Sequence, residues 1–92
     1  MIDISQDVLK QAAKIIQGER QEDYGSAEDS FALIAEYWCT YLNDKPGNAC
    51  THISGHDVAM MMILLKVART KGKKKQDNYV DIAGYAALAA RM

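Results

Sequence analysis

The feature that most constrains the fold is a segment near the middle of the chain that is apolar on nearly every side of a helix. This segment, "HDVAMMMILLKVAR", extends from His56 to Arg69. A helix of this kind is usually surrounded by other helices or by a partner chain, because it has no polar face to leave in water. The remaining helices must cover it, and a chain of 92 residues can build only a modest core for that purpose.

Two helices are predicted before this segment. Helical spacing of apolar residues indicates a first helix from about Asp7, capped by Asp3 or Ser5, and its apolar side consists of Val8, Ala12, Ile15 and Ile16. A second helix is expected after Ser26, which lies three residues before Asp29 as in a capping box. Its predicted core stripe consists of Phe31, Ile34, Trp38 and Tyr41.

The apolar segment and the C-terminal segment form the predicted third and fourth helices. Ser54, three residues before Asp57, is a candidate cap for the third helix. The polar turn "TKGKKKQ" separates it from "DNYVDIAGYAALAARM", and no segment alternates convincingly as a strand. We therefore predict a single all-α domain over residues 1–92, a small four-helix bundle whose third and fourth helices form an antiparallel hairpin.

Composition argues against several classes of partner. Eleven basic and twelve acidic side chains give a net charge of -1, which offers no general attraction to duplex nucleic acid or to an anionic membrane. No apolar run has the length of a bilayer span, and the start lacks the regions of a signal peptide, so we expect a cytoplasmic protein. Cys39 and Cys50 are expected to be free thiols, and Cys50, His52 and His56 to lie in a polar loop rather than a zinc site.

The hairpin places charged residues of its two helices opposite each other. Residues equally far from its turn come level, so Lys66 is expected near Asp81 and Arg69 near Asn78. Asp81 also lies four residues from both Asp77 and Tyr85, on one side of the fourth helix. Two interpretations stay open: an ion pair that fixes the register of the hairpin, or a polar pocket that holds a phosphate or a carboxylate.

A second group of carboxylates suggests a hard cation. Glu19 and Glu22 are three residues apart, and together with Asp77 and Asp81 they could share a Mg²⁺ ion. Pairs of this spacing are also common on solvated helices. The sequence contains no P-loop, dinucleotide fingerprint or nucleophile elbow, so covalent catalysis and the standard nucleotide cradles have no support.

The segments "GERQEDYGS", "IAEYWCTYL", "DVAMMMILLKVARTK" and "DNYVDIAGYAALA", in this order, resemble a family of small, uncharacterised phage and prophage helical proteins. The resemblance covers about Gly18 to Ala90 and implies an accessory protein that acts inside a bacterium. The shorter segments "DYG", "LLKVAR" and "VDIAGY" are similar to those of nucleotide-modification-associated phage domains. The all-helical plan is similar to that of MazG-like nucleoside triphosphate pyrophosphohydrolases. In the latter, ExxE and ExxD elements hold Mg²⁺. Glu19 and Glu22 match the first element, but Asp77 and Asp81 are four apart and depart from the second.

Three functions follow as alternatives. The first is capture of a nucleotide or another phosphorylated small molecule, in a pocket formed by Arg20, Tyr24, Lys66, Arg69, Asp77, Asp81 and Tyr85. The second is protein binding, for example to inhibit a host defence system. The third is Mg²⁺-dependent pyrophosphohydrolysis by a MazG-like enzyme. We rank small-molecule binding first and enzyme activity last, and we expect a homodimer or a higher homo-oligomer because the third helix is hard to cover with three short neighbours.

Overall fold

The structure is a computed structural model that describes residues 3–19, 26–47 and 52–92, with only the backbone for residues 18 and 19. Its elements, in chain order, are α1 (Ile4–Lys14), a π-helical segment (Ile15–Glu19), α2 (Ala27–Asn43), α3 (Gly55–Arg69) and α4 (Gln76–Arg91). No strand occurs in these ranges. The prediction of an all-α domain with four helices is confirmed.

Capping chemistry begins α2 and α3 where the sequence places it. The Ser54 hydroxyl accepts from the Asp57 backbone N–H at 3.2 Å, and the Asp57 carboxylate accepts from the Ser54 backbone N–H at 2.9 Å. This reciprocal pair is the predicted capping box. At the start of α2, the Ser26 hydroxyl accepts from the Asp29 backbone N–H at 3.1 Å.

Helix α1 begins one turn earlier than its apolar pattern predicts. It starts at Ile4 rather than about Asp7, and Asp3 occupies the N-cap position without a side-chain bond to the helix. The Ser5 hydroxyl instead donates to the Asp3 carboxylate. The first turn is exposed and Ile4 is its one apolar residue, so apolar periodicity did not reveal it.

The helices lie side by side in the order α1, α4, α3, α2. Helices α1 and α4 start together, since Gln76 Nε2 donates to Asp7 Oδ2 at 2.6 Å. The end of α4 reaches the start of α2, where the rings of Tyr85 and Phe31 lie 5.9 Å apart. Helices α3 and α4 pack along their length as the predicted antiparallel hairpin. The expectation that the remaining helices cover the apolar third helix needs correction, because α3 and α4 share the inner positions and α4 buries more residues.

The main core lies between α2, α3 and the segment that connects them. Ala35, Ile53 and Val58 are buried there, and they pack against the partly buried residues Phe31, Ile34, Trp38, Cys39, Leu42 and Met62. The Ile53 backbone N–H donates to Cys39 Sγ at 3.0 Å. This contact places Ile53, just before α3, beside α2 about one turn from the end of that helix.

The molecule is extended for its length. Its Cα radius of gyration is 15.0 Å, whereas a compact chain of this length has about 12 Å. The extents of 54 × 32 × 20 Å describe a slab rather than a sphere. Four helices in a row leave broad faces uncovered, and this shape determines which surfaces are available to partners.

Candidate functional site

The predicted pair of Lys66 and Asp81 is present in the α3–α4 hairpin, on the side nearer its turn. Lys66 Nζ lies 3.0 Å from Asp81 Oδ2, and the two side chains are 19% and 25% exposed. They meet because Lys66 lies on the half-buried side of α3 that faces α4, three residues before the end of the helix. Each charge is therefore neutralised by the other across the helix contact.

The other predicted ligand-binding residues of the hairpin do not converge on this pair. Arg69 and Asp77 are exposed near the turn of the hairpin. Tyr85 is half-buried, and its ring packs against Phe31 of α2. Within the described residues, neither a hydrogen bond nor an ion pair joins Arg69 to Asn78, and Asn78 is the buried member of that expected pair.

The remaining predicted residues cannot be placed. Arg20, Glu22 and Tyr24 lie outside the described residues, as do Cys50 and the side chain of Glu19. Among the residues that are described, no group of three or more His, Cys, Asp or Glu side chains is arranged to hold a metal ion. The Mg²⁺ site, which depends on Glu19 and Glu22, stays a prediction.

Among the described helices, α3 has the most exposed large apolar side chains, and they form a face that we call the α3 outer face. It consists of Met60, Met61, Leu64, Leu65 and Val67, each between 44% and 67% exposed. Met60, Leu64 and Val67 lie on the half of the helix opposite Val58 and Ala59, which are fully buried, and Met61 and Leu65 lie beside them at the edge nearer Val58. The all-round apolar pattern of α3 thus splits into one half that builds the core and another half that faces solvent.

A smaller apolar stripe, which was not predicted from the sequence, lies on α2. Leu33, Tyr37 and Tyr41 are spaced by four residues and are all exposed. Tyr41 was expected in the core, but its ring faces outward, with Lys45 Nζ 4.7 Å from the ring centroid. The spacing of four residues between Leu33, Tyr37 and Tyr41 could have indicated this stripe. The adjacent apolar stripe that includes Phe31 and Trp38 made it hard to recognise.

The start of α3 carries a fixed negative charge. The Ser54 backbone N–H and hydroxyl donate to Asp57, and these bonds hold the pKa of the Asp57 carboxyl below its ordinary value of 3.8. His56 and His52 lower the pKa further by a smaller amount. The opposite end of α3 is basic, because Arg69 and Lys71 are exposed there. The α3 outer face therefore lies between an acidic end and a basic end.

These features favour different kinds of chemistry. A half-buried ion pair whose two charges already satisfy each other has little attraction left for an anion. An exposed apolar helix face bordered by charges is a typical surface for binding another protein, since most monomers do not leave contiguous apolar patches in water. No helix in the described ranges is both long enough and apolar enough to cross a membrane.

The chain is similar to gene products of two phages. It is 38% identical over 90 residues to the Gene 55 protein of Mycobacterium phage D29. The aligned region covers 97% of this chain and 55% of that protein. It is 43% identical over 86 residues to the Gene 55 protein of Mycobacterium phage L5, covering 92% and 51% respectively. The chain therefore spans about half the length of the curated relatives it matches.

No solved structure matches the chain. A family model described as a domain of unknown function, DUF6378, matches residues 7–92, which is nearly the whole chain. That match includes all four helices except the first turn of α1. The chain belongs to the DUF6378 family.

Proposed function

We propose that this chain is a phage accessory domain that acts by binding another protein through the α3 outer face. The observation that carries the proposal is the exposure of five large apolar side chains on one half of a single helix. Two of them are methionines, whose flexible side chains adapt to the shape of a partner. Covering this face would remove apolar surface from water, which is the main favourable contribution to most protein associations.

The location and the target are part of the same proposal. The relatives are gene products of phages, so we place the action of this chain in the cytoplasm of a bacterial host. A partner there is either another phage-encoded chain or a host protein, including a component of a host defence system. Binding by an exposed helix face requires no catalytic group, and it is a common activity of small helical domains.

A second candidate function is supported by the pair of Lys66 and Asp81. The two side chains meet between the inner helices, where the sequence places the pocket for a nucleotide or another phosphorylated ligand. An anion that entered there would have to displace Asp81 from Lys66, with Arg69 as a nearby exposed cation. A thermal-shift screen against nucleotides, with and without Mg²⁺, tests this candidate, because a ligand specific for the folded state raises the melting temperature. A hit would then be assayed for pyrophosphate release.

Photocrosslinking tests the proposed protein binding directly. A photoreactive benzoylphenylalanine is placed at Leu64, the most exposed residue of the α3 outer face, in protein produced in bacterial cells. The matched control carries the same group at Lys10, which is exposed on α1, a helix that packs on α4 and not on α3.

The proposal predicts a covalent adduct from position 64 at a yield well above that from position 10. Mass spectrometry of the adduct then identifies the partner as a second copy of this chain or as a different protein. Equal yields from the two positions would contradict the proposal, since the α3 outer face would then be no more occupied than an ordinary surface.

A further inference from the structure

The exposed side of α3 has the spacing of a helix that pairs with another helix. Asp57, Met61, Leu64 and Ala68 follow one another at intervals of four, three and four residues, and Lys71 follows three residues later, in the turn after the helix. An average interval of three and a half residues keeps one seam of a helix facing a partner helix. All five residues are exposed, and Met60, Leu65 and Val67 flank them. The seam is therefore apolar in the middle and charged at its two ends.

The charges at the ends of this seam are opposite in sign. Asp57 lies in the first turn of α3, and its carboxyl is held in the ionised form by the capping box. Arg69 and Lys71 lie at the other end, followed by the exposed lysines of the turn. A second α3 that ran parallel would place these like charges beside each other. An antiparallel α3 would bring Asp57 of each copy to the basic end of the other.

The chain as a whole exposes more surface than a compact monomer of its mass. The chain exposes 6781 Å², whereas a compact folded monomer of 10.2 kDa exposes about 5,300 Å². The excess is about 1,500 Å². A standard protein interface buries about 800 Å² on each partner. A second copy could therefore be accommodated within the surface that this fold leaves uncovered.

We propose that the occupant of the α3 outer face is a second copy of this chain, in a two-fold dimer whose axis passes between antiparallel α3 helices close to Met61 and Leu64. This inference rests on the proposed function, because it names the partner for the same face. The contact is isologous: each copy presents the same seam, and each supplies Asp57 to the other's basic end. Small Ala68 comes level with Asp57 of the other helix and lets the two backbones approach closely there.

Light scattering after size exclusion tests the dimer on the intact chain. The expected mass is twice 10.2 kDa at tens of micromolar protein. Leu64→Glu places two like charges near the axis and should raise the dissociation constant at least about tenfold. Leu9→Glu is the matched control, because Leu9 is equally exposed but lies on α1, and this variant should remain dimeric. Circular dichroism establishes that both variants are folded.

Crosslinking tests the orientation of the helices. Two differently tagged chains, one with Met60→Cys and the other with Ala68→Cys, are mixed and treated with a short bismaleimide, with the wild-type chain as the background control for native cysteines. Antiparallel helices give mainly the product that joins the Met60→Cys variant to the Ala68→Cys variant. A parallel arrangement gives mainly products that join two copies of the same variant, and this result would overturn the proposed dimer.

The failure of this inference can be told from the failure of the proposed function. A wild-type mass of 10.2 kDa at tens of micromolar would overturn the dimer. If position 64 then still crosslinked to a different protein, the α3 outer face would remain a binding surface with another partner. A monomer that also lacked any adduct at position 64 would overturn both.

Discussion

Lys66 and Asp81 form an ion pair, with 3.0 Å between Nζ and Oδ2, that joins the two inner helices of the fold. The pair lies on the side of the α3–α4 hairpin nearer its turn. Its position favours the interpretation that it helps to fix the register of the hairpin.

Breaking this ion pair should destabilise the fold moderately. In Asp81→Asn, Lys66 keeps its charge in a half-buried position without a counter-ion, and we expect a loss of about 1–2 kcal/mol in the free energy of unfolding. Urea denaturation measures the loss. The control is Arg91→Met, which breaks the more exposed pair of Arg91 and Glu28 and should cost less than about 0.5 kcal/mol. Equal losses would contradict a special role for the hairpin pair.

The two halves of α3 should respond differently to the same substitution. Val58 is fully buried in the core, so Val58→Ala should cost about 2–3 kcal/mol through lost burial and a cavity. Val67 lies on the α3 outer face, and Val67→Ala should change the stability of the monomer by less than about 0.5 kcal/mol. Both are measured by urea denaturation in the Leu64→Glu background, where the dimer contact is absent. Similar losses of unfolding free energy in the two variants would contradict the exposure of Val67 on the α3 outer face.

Stability should fall in acid because of Asp57. Its folded-state pKa is lowered, so its contribution is fully present above the ordinary value of 3.8 and is lost as the pH falls through the lower folded value. Thermal melts from about pH 6 to pH 2 measure this loss. The difference in melting temperature between the wild type and Asp57→Asn should shrink below about pH 4. A constant difference over the whole range would contradict the assigned cause.

The connection before α3 should depend on the thiol of Cys39. The Ile53 N–H donates to Cys39 Sγ, so Cys39→Ala leaves a buried backbone donor without its partner, and we expect a cost of about 1–3 kcal/mol. Urea denaturation provides the measurement. Cys39→Ser, which restores an acceptor at a similar position, should recover part of the stability. If the two variants were equally stable, packing alone would account for the role of Cys39.

Much of the fold could be predicted from local patterns. Ser26 and Ser54 fixed the starts of α2 and α3, and the polar turn before α4 implied the hairpin and so the contact of Lys66 with Asp81. The direction of Tyr41 could not be predicted, because two apolar stripes overlap on α2 and tertiary packing decides which one is buried. The proposed pocket needed Arg20 and Tyr24 beside the hairpin, and helical periodicity carries no information about that long-range contact.

The exposed half of α3 could not have been found from periodicity either. A helix that is apolar all round gives the same pattern whether its own chain or a partner covers it. Only the arrangement of the helices in a row shows that Met60, Met61 and Leu64 are left without cover within the described part of the chain.

The most direct test of the central claim is methionine footprinting of the wild-type protein in solution. Met60 and Met61 are exposed in the isolated chain, Met62 is half-buried, and Met92 at the end of α4 is an exposed internal reference. Initial rates of oxidation by hydrogen peroxide are measured by tandem mass spectrometry. If a partner covers the α3 outer face, Met60 and Met61 oxidise as slowly as Met62. Their oxidation rates then rise in the Leu64→Glu variant. Oxidation of Met60 and Met61 at the rate of Met92, unchanged by Leu64→Glu, would contradict the account.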